Sequence, residues 1–430
     1  MNNFWKSRFG PNCDAAGLAV QAGEQSLSDG DLKYRAEKLA NDLVRLGARR
    51  VGLYADNGID WIVTDLACQK AQLVLVPLPL FFSSNQLRHV LDSSGIDTLI
   101  ADRAVDAFLA GAEPTVGNKA TDALTARIYR PGVISVPELP AGTQKITFTS
   151  GTTGTAKGVC LSADQQFRVA DALTTATGLR NPKHLCCLPL STLLENIAGI
   201  YAPLLAGGTL IVPPLSLVGL DGSSNFDVAT WLAAITRYQP NSIIIVPEML
   251  NAMVLAARAG WPVPQSLKFV AVGGGKVSAD LLRQAGEAGI PAFEGYGLSE
   301  CASVVTLNTP GSCRVGSVGR PLPHVTVKSV DDEIVVSGSS FLGYLERPDS
   351  WGAQTVRTGD KGFIDNDGFV HVDGRLKNQL ITSFGRNLSP EWVESELLAG
   401  PLLQQAVIIG DDHPYCVALV FPRQQSVSDQ

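Results

Sequence analysis

The chain has 430 residues, enough to bury a large core and form two or more domains. Charged residues make up 17% and hydrophobic residues 45%, which excludes a disordered chain. A net charge of -7 leaves no basic footprint for nucleic acid.

The N-terminus, MNNFWKSRFGPN, lacks the apolar core of a signal peptide. DGDLKYRAEKLANDLVRLG has helical apolar spacing and ends at Gly47. VGLYA reads as a strand, Asp60 to Ala71 as a helix and LVLVPLP as a buried strand. SSNQLRHVLDSSG is a Ser-capped helix, and TLIAD another strand. Strands alternating with helices predict βαβ units and a parallel sheet. The longest greasy stretch, AQLVLVPLPLFF, is broken by Pro77 and Pro79 and is too short to span a bilayer. Together these features predict a cytoplasmic enzyme.

Ala104 to Gln144 is richer in Gly and Pro and predicts a surface connection. It leads into ITFTSGTTGTAKGV, Ile146 to Val159. Gly151, Gly154 and Gly158 let backbone N–H groups approach an anion. Thr149, Ser150, Thr152, Thr153 and Thr155 add hydroxyls, and Lys157 adds a point charge. Such a loop fits a polyphosphate. It is not a Walker motif, because Gly158 follows Lys157 and the glycine spacing differs.

LCCLPL, GGTLIVPP, a helix over Val228 to Tyr238, SIIIVP and LKFVAVGGG predict a second βαβ region. LPLSTLLENIAGIYAPLLAGG suits either the wall of an acyl pocket or a buried helix and turn. Its candidate wall residues are Thr192, Leu193, Leu194, Ile197 and Ala198. Gly273, Gly274 and Gly275 end a strand; they are a common turn, or bare backbone against which a flat base can lie. In EGYGLSE, Tyr296 offers a ring face to adenine, and Gly295 and Gly297 flank it, Gly297 allowing close approach. Glu294 is a candidate acceptor for an adenine amino group. Ser299 and Glu300 offer oxygens that suit a hard cation such as magnesium, with Glu300 the candidate metal ligand.

Between Gly311 and Phe369 the predicted elements are short strands with tight turns, a small barrel or a distorted sheet. VRTGD ends in Asp360, a bidentate acceptor for ribose hydroxyls. A boundary falls near Gly374-Arg375-Leu376-Lys377, giving domains of 1–373 and 374–430. SPEWVESELL then predicts a helix capped by Ser389, and QQAVIIGD and YCVALVFP two strands. The eight cysteines are scattered, and His89, His184, His324, His371 and His413 predict no ligand cluster.

Five segments in order, from Ile146 to Glu394, resemble the adenylate-forming superfamily of acyl-CoA synthetases, carrier-protein adenylation domains and luciferases. The look is nearest to long- and medium-chain fatty acyl-CoA synthetases of the AMP-binding type. Ser299 stands where that family's Tyr-Gly-x-Thr-Glu motif has Thr, and Thr192 where a His or aromatic is frequent. The resemblance implies a large α/β N-terminal domain of two βαβ-type subdomains with a small barrel-like subdomain. A small α+β C-terminal domain would follow. It implies ATP and Mg2+ as cofactors and a two-step reaction, in which a carboxylic acid becomes acyl-AMP and then passes to a thiol. The thiol would be that of CoA or the phosphopantetheine arm of an acyl carrier protein. Lys157 would neutralise phosphate, Arg375 would reach ribose or phosphate, Lys377 would be the hinge, and Gly385 would line the pantetheine tunnel.

The same resemblance implies a lysine near the end of the small domain, but the last lysine of these 430 residues is Lys377. The C-terminal domain is therefore expected to be partial, with Arg386, a partner chain or further sequence replacing that charge. Without it, the protein would be an ATP- or acyl-adenylate-binding protein. Amino-acid-activating relatives place an Asp in the pocket segment, whereas Pro189 to Ala198 carries only Glu195 as an acid. A non-amino, aliphatic acid is the expected substrate.

Overall fold

The computed structural model describes residues 3–10, 15–109, 124–131, 136–149, 156–222, 225–383 and 387–423. Its contacts divide the chain into two units. The first comprises Met1–Ile244, Leu298–Val304 and Gly338–Gln354; the second comprises Ile245–Gly297, Val305–Ser337 and Thr355–Gln430.

In the first unit, helix starts follow local chemistry. Ser28 accepts from the Asp31 N–H at 3.1 Å while the Asp31 carboxylate accepts from the Ser28 N–H at 3.3 Å. Ser83 and Gln86 repeat this box ahead of the helix Ser84–Ser94, which closes on Gly95 at φ 63°. The helix Ile59–Ala71 is buried on almost every face, so its sequence shows no clean apolar stripe.

A seven-stranded sheet organises this unit. Its order is Gly343–Tyr344, Lys157–Leu161, Lys145–Thr149, Val74–Pro77, Arg50–Tyr54, Thr98–Ala101 and Arg127–Tyr129. The pairs around Arg50–Tyr54 are parallel, as βαβ units require. The strands on either edge are antiparallel. The helix Ser84–Ser94 packs Leu87, Val90 and Leu91 over Val76, Ile146, Phe148 and Leu345. Gln25–Ser28, Leu18–Ala22, Thr209–Ile211, Lys183–Leu185 and the strand opening at Ser242 lie side by side as well. The connection expected over Ala104 to Gln144 contains the edge strand Arg127–Tyr129.

In the second unit, Phe269–Val272 pairs in parallel with Ala292–Leu298. The helices Pro247–Arg258 and Ala279–Glu287 belong to the same unit. The segment expected to be a barrel or distorted sheet is an open antiparallel sheet. Its order is Thr326–Val330, Glu333–Ser337, Thr355–Ile364 and Val370–Arg375, with no closed barrel among the described residues. The helix Pro390–Leu398 and the hairpin Leu403–Ile409/Val417–Pro422 follow. Ser389 stands at the N-cap, but its hydroxyl donates to the Asp373 carbonyl at 2.7 Å instead of capping. No described helix is long and apolar enough to cross a membrane.

Candidate active site

Strands Lys145–Thr149 and Lys157–Leu161 form a hairpin in the first unit, with Thr149 paired opposite Lys157. The hairpin register therefore fixes both ends of the expected phosphate loop. Ser150, Gly151, Thr152, Thr153, Gly154 and Thr155 lie outside the described residues. Lys157 is exposed, and its Nζ stands 6.0 Å from the centroid of the Tyr344 ring. Gly158 has a packing role: a Cβ there would meet the Leu345 Cβ at 2.9 Å.

Tyr344 links this hairpin to the magnesium candidate. Its hydroxyl donates to Glu300 Oε1 at 2.7 Å. Burial first, and the Glu300 carboxylate second, push the Tyr344 phenol up, so it stays a donor. Glu300 and Ser299 sit on the short 3-10 turn Ser299–Cys301, and both are half-buried. The Glu300 carbonyl accepts from the Phe341 N–H at 2.7 Å and from Gln165 Nε2 at 3.3 Å. Directly after the turn, Ala302 and Ser303 have φ of 54° and 100°. Two strained non-glycine residues cost on the order of 1–3 kcal/mol each, so the surrounding packing dictates this turn. Cys301 is fully buried and its thiol is pushed up by burial, as befits a packing residue.

The second unit gathers three remote candidates. Asp360 and Arg375 are cross-strand partners, with Arg375 Nε 3.1 Å from Asp360 Oδ1. Tyr296 donates its hydroxyl to Asp360 Oδ2. Thr358 Oγ1 accepts from the Asp360 N–H at 3.1 Å, and the Thr358 carbonyl accepts from Arg375 at 3.0 Å. Asp360 is only 6% exposed, so Tyr296 and Arg375 meet its carboxylate in a largely buried setting.

In the same unit, Gly274 has φ 80°, a conformation that demands glycine, while the Gly273 N–H bonds the Ile245 carbonyl at 3.2 Å and Gly275 rests against Pro247. Gly295 is closed in by Leu307 Cδ1 at 3.0 Å, whereas Gly297 is exposed. Glu294 is buried beside Lys276 and accepts from the Val277 N–H. Burial pushes its carboxyl up to about 8, against the pull of Lys276. Lys377 is exposed on the turn Leu376–Asn378. Gly374, at φ 151°, has no room for a side chain: a Cβ would lie 2.2 Å from Ser389 Oγ. Gly385 and Arg386 lie outside the described residues.

The acyl-pocket segment is a π-helix, Leu194–Tyr201, a form concentrated at functional sites. Thr192, Leu194 and Ala198 are half-buried, whereas Leu193 and Ile197 are 7% and 0% exposed. Thr192 Oγ1 donates to the Pro189 carbonyl at 2.7 Å. Two buried networks seat this helix. Glu195 Oε1 lies 2.9 Å from His184 Nε2, and Oε2 accepts from the Leu188 N–H at 3.1 Å. His184 Nδ1 is 2.9 Å from Ser242 Oγ. Asn196 and Tyr201 donate to Asp65 Oδ2 at 3.0 and 2.6 Å, and Lys145 Nζ lies 3.0 Å from Asp65 Oδ1.

Sequence reasoning missed both networks and Tyr344. The visible signals were a charge inside IDWIVTDLACQKA, a lysine opening a buried strand, and the aromatic of FLGYLERP. The absence of a histidine ligand cluster also needs correction, since His184, Cys186 and Glu195 place their ligand atoms within 4.8 Å of one another. The group matches no metal-ligand spacing in the sequence; both His184 nitrogens and both Glu195 oxygens are spent in hydrogen bonds, and burial holds the Cys186 thiol protonated.

Comparison with known proteins gives concordant matches. The family model for AMP-binding enzymes matches residues 12–343, and that for the AMP-binding enzyme C-terminal domain matches 377–430. The chain is 29% identical to a feruloyl-CoA synthase of an Amycolatopsis species, over 95% of this chain and 84% of that protein. It is 26% identical to the long-chain-fatty-acid–CoA ligase FadD15 of Mycobacterium bovis, over 88% and 74%. Its fold superposes on O-succinylbenzoate coenzyme A synthetase of Bacillus subtilis in complex with ATP and magnesium ion. The TM-score is 0.79 at 22% identity, over 98% of this chain and 89% of that one.

Proposed function

The chain belongs to the AMP-binding enzyme family and is an acid–thiol ligase, and from that premise we propose how its own residues divide the work. The carboxylate of the acid attacks the α-phosphorus of ATP, giving acyl-AMP and pyrophosphate. The thiol sulfur of CoA then attacks the acyl carbonyl, and AMP leaves as the thioester forms.

In the first step two anions must meet, so the protein has to neutralise and align them. Lys157 supplies a positive charge opposite Thr149 at the end of the hairpin, and Ser150, Gly151, Thr152, Thr153 and Gly154 are proposed from their residue types as phosphate donors. Asp360 holds the ribose with Arg375 beside it, and Tyr296 presents its ring to the adenine. Gly273 to Gly275, Gly295 and Gly297 keep backbone bare around the base. Glu294, whose carboxyl is raised by burial toward its protonated form, is the proposed partner of the adenine edge. The observation that carries this reading is the meeting of residues 296, 360 and 375 on one carboxylate.

Glu300 fits a hard cation. Oε1 is held by Tyr344, and Oε2 has no hydrogen-bond partner among the described residues. Ser299 stands next to it with its side chain half-buried. Magnesium bound there would screen the phosphate charge.

The acid is proposed to be non-amino and aliphatic. Glu195, the one acid on its pocket segment, is 0% exposed with both oxygens bound, so it cannot pair with an α-ammonium. Leu194, Ala198 and Thr192 remain half-buried for contact with an acyl chain, backed by Leu193 and Ile197. CoA is the proposed acceptor, with a carrier-protein phosphopantetheine arm as the competing thiol, and the setting is the cytoplasm. Residues 1–373 and 374–430 are proposed as the two moving parts, turning at Lys377.

The test is a panel of aliphatic, aromatic and α-amino acids with ATP and either CoA or carrier protein, read by mass spectrometry for thioester and AMP. An aliphatic acyl-CoA with stoichiometric AMP is the expected product. A panel in which only α-amino acids react overturns the substrate assignment.

A further inference from the structure

A cleft of about 250 Å³ opens beside Lys157 in the first unit. Phe148 and Leu345 form its apolar walls, and Lys157, Arg347 and His89 bring basic groups to it against one acid, Glu346. Ser93 also lines it. This residue is 8% exposed, and its hydroxyl has no hydrogen-bond partner among the described residues. A buried hydroxyl without a partner is costly, so one lining a basic cleft marks a place for an acceptor oxygen.

The cations are not spent elsewhere. Among the described residues Lys157 makes no ion pair and contacts only the Tyr344 ring face, at 6.0 Å. Arg347 reaches Asp349 at 3.9 Å, a long contact between two exposed side chains that holds it weakly. His89 Nε2 lies 3.3 Å from the Ala156 carbonyl, which leaves its other ring nitrogen for a ligand.

We propose that this cleft receives the pyrophosphate released in adenylation, with Arg347 and Ser93 as its binding residues beyond Lys157. The proposal rests on the adenylation reading. As the carboxylate oxygen bonds to the α-phosphorus, the bond to the bridging β-oxygen breaks and its electron pair departs on pyrophosphate. The leaving group is then a compact polyanion beside Lys157. Two permanent cations and an unpartnered hydroxyl suit it, and the apolar walls limit competing water.

Titration calorimetry of the full chain with pyrophosphate reads this site without turnover. Arg347→Gln and Ser93→Ala should each weaken binding about tenfold, the loss expected for one charge-assisted contact, with Arg347→Lys recovering part. In ATP–pyrophosphate exchange the same variants should raise the KM for pyrophosphate about tenfold and that for ATP by less than about twofold. Unchanged pyrophosphate binding in both variants overturns the proposal. So does an Arg347→Gln variant that loses affinity for CoA, but not for its 3′-dephospho form or for pyrophosphate, since the cleft would then read the CoA phosphate. A wild-type chain that binds pyrophosphate through Arg347 yet exchanges with no acid supports the site and overturns the adenylation reading.

Discussion

Tyr344 donates a 2.7 Å hydrogen bond to Glu300, joining the edge strand beside Lys157 to the turn that carries the magnesium candidate. One oxygen of Glu300 is thereby fixed and the other left to a cation. Tyr344→Phe keeps the ring under Lys157 and removes only this bond. The magnesium concentration for half-maximal adenylation should rise about tenfold, with ATP binding in the absence of metal unchanged.

Asp360 is the junction between Tyr296 and Arg375. Asp360→Asn keeps the shape but removes the charge and one acceptor. The KM for ATP should rise by about ten- to a hundredfold, as for loss of charge-assisted hydrogen bonds. An unchanged KM for ATP in steady-state kinetics would remove Asp360 from the nucleotide site.

Lys145 and Asp65 form an ion pair that is 1% exposed on both sides. Burial holds the Lys145 ammonium below its ordinary value even against the pull of Asp65. Lys145→Met strands the carboxylate and should cost about 3–5 kcal/mol in denaturant unfolding. The double variant Lys145→Met/Asp65→Leu should recover a large part of that, because removing both charges removes the desolvation penalty. A double variant as unstable as the single one would show that Asn196 and Tyr201 depend on the pair.

Glu294 sets a pH dependence of stability. Its folded carboxyl is raised from an ordinary value of 4.5 to about 8 by burial, so the folded state binds the proton more tightly than the unfolded one. This contribution is full below pH 4.5, falls as pH rises, and is lost above about 8. Glu294→Gln should flatten the Tm profile between about pH 5 and 8, measured by calorimetry. A profile that keeps the wild-type slope would place the titration elsewhere.

Much of the frame was legible in the chain because local signals agreed. The helix of DGDLKYRAEKLANDLVRLG, the Ser-capped helix of SSNQLRHVLDSSG and the βαβ alternation all appear where the spacing puts them. Tyr296, Asp360 and Arg375 were also singled out in advance, and they meet on one carboxylate. What stayed hidden depends on partners that only folding brings together. Asp65 looks like an intruder in an apolar helix until Lys145, Asn196 and Tyr201 surround it. His184 and Glu195 announce nothing until strand and π-helix bring them to 2.9 Å. Short strands with tight turns do not specify closure, so barrel and open sheet could not be told apart before their pairing was known.

The most direct measurement is acid-dependent ATP–pyrophosphate exchange by the purified 430-residue chain, with Lys157→Ala and Asp360→Asn alongside. The account predicts exchange that requires a non-amino carboxylic acid and falls, at ATP below its KM, by about a hundredfold in Lys157→Ala and about ten- to a hundredfold in Asp360→Asn. Exchange that persists in both, or tight ATP binding with no exchange for any acid, would contradict it.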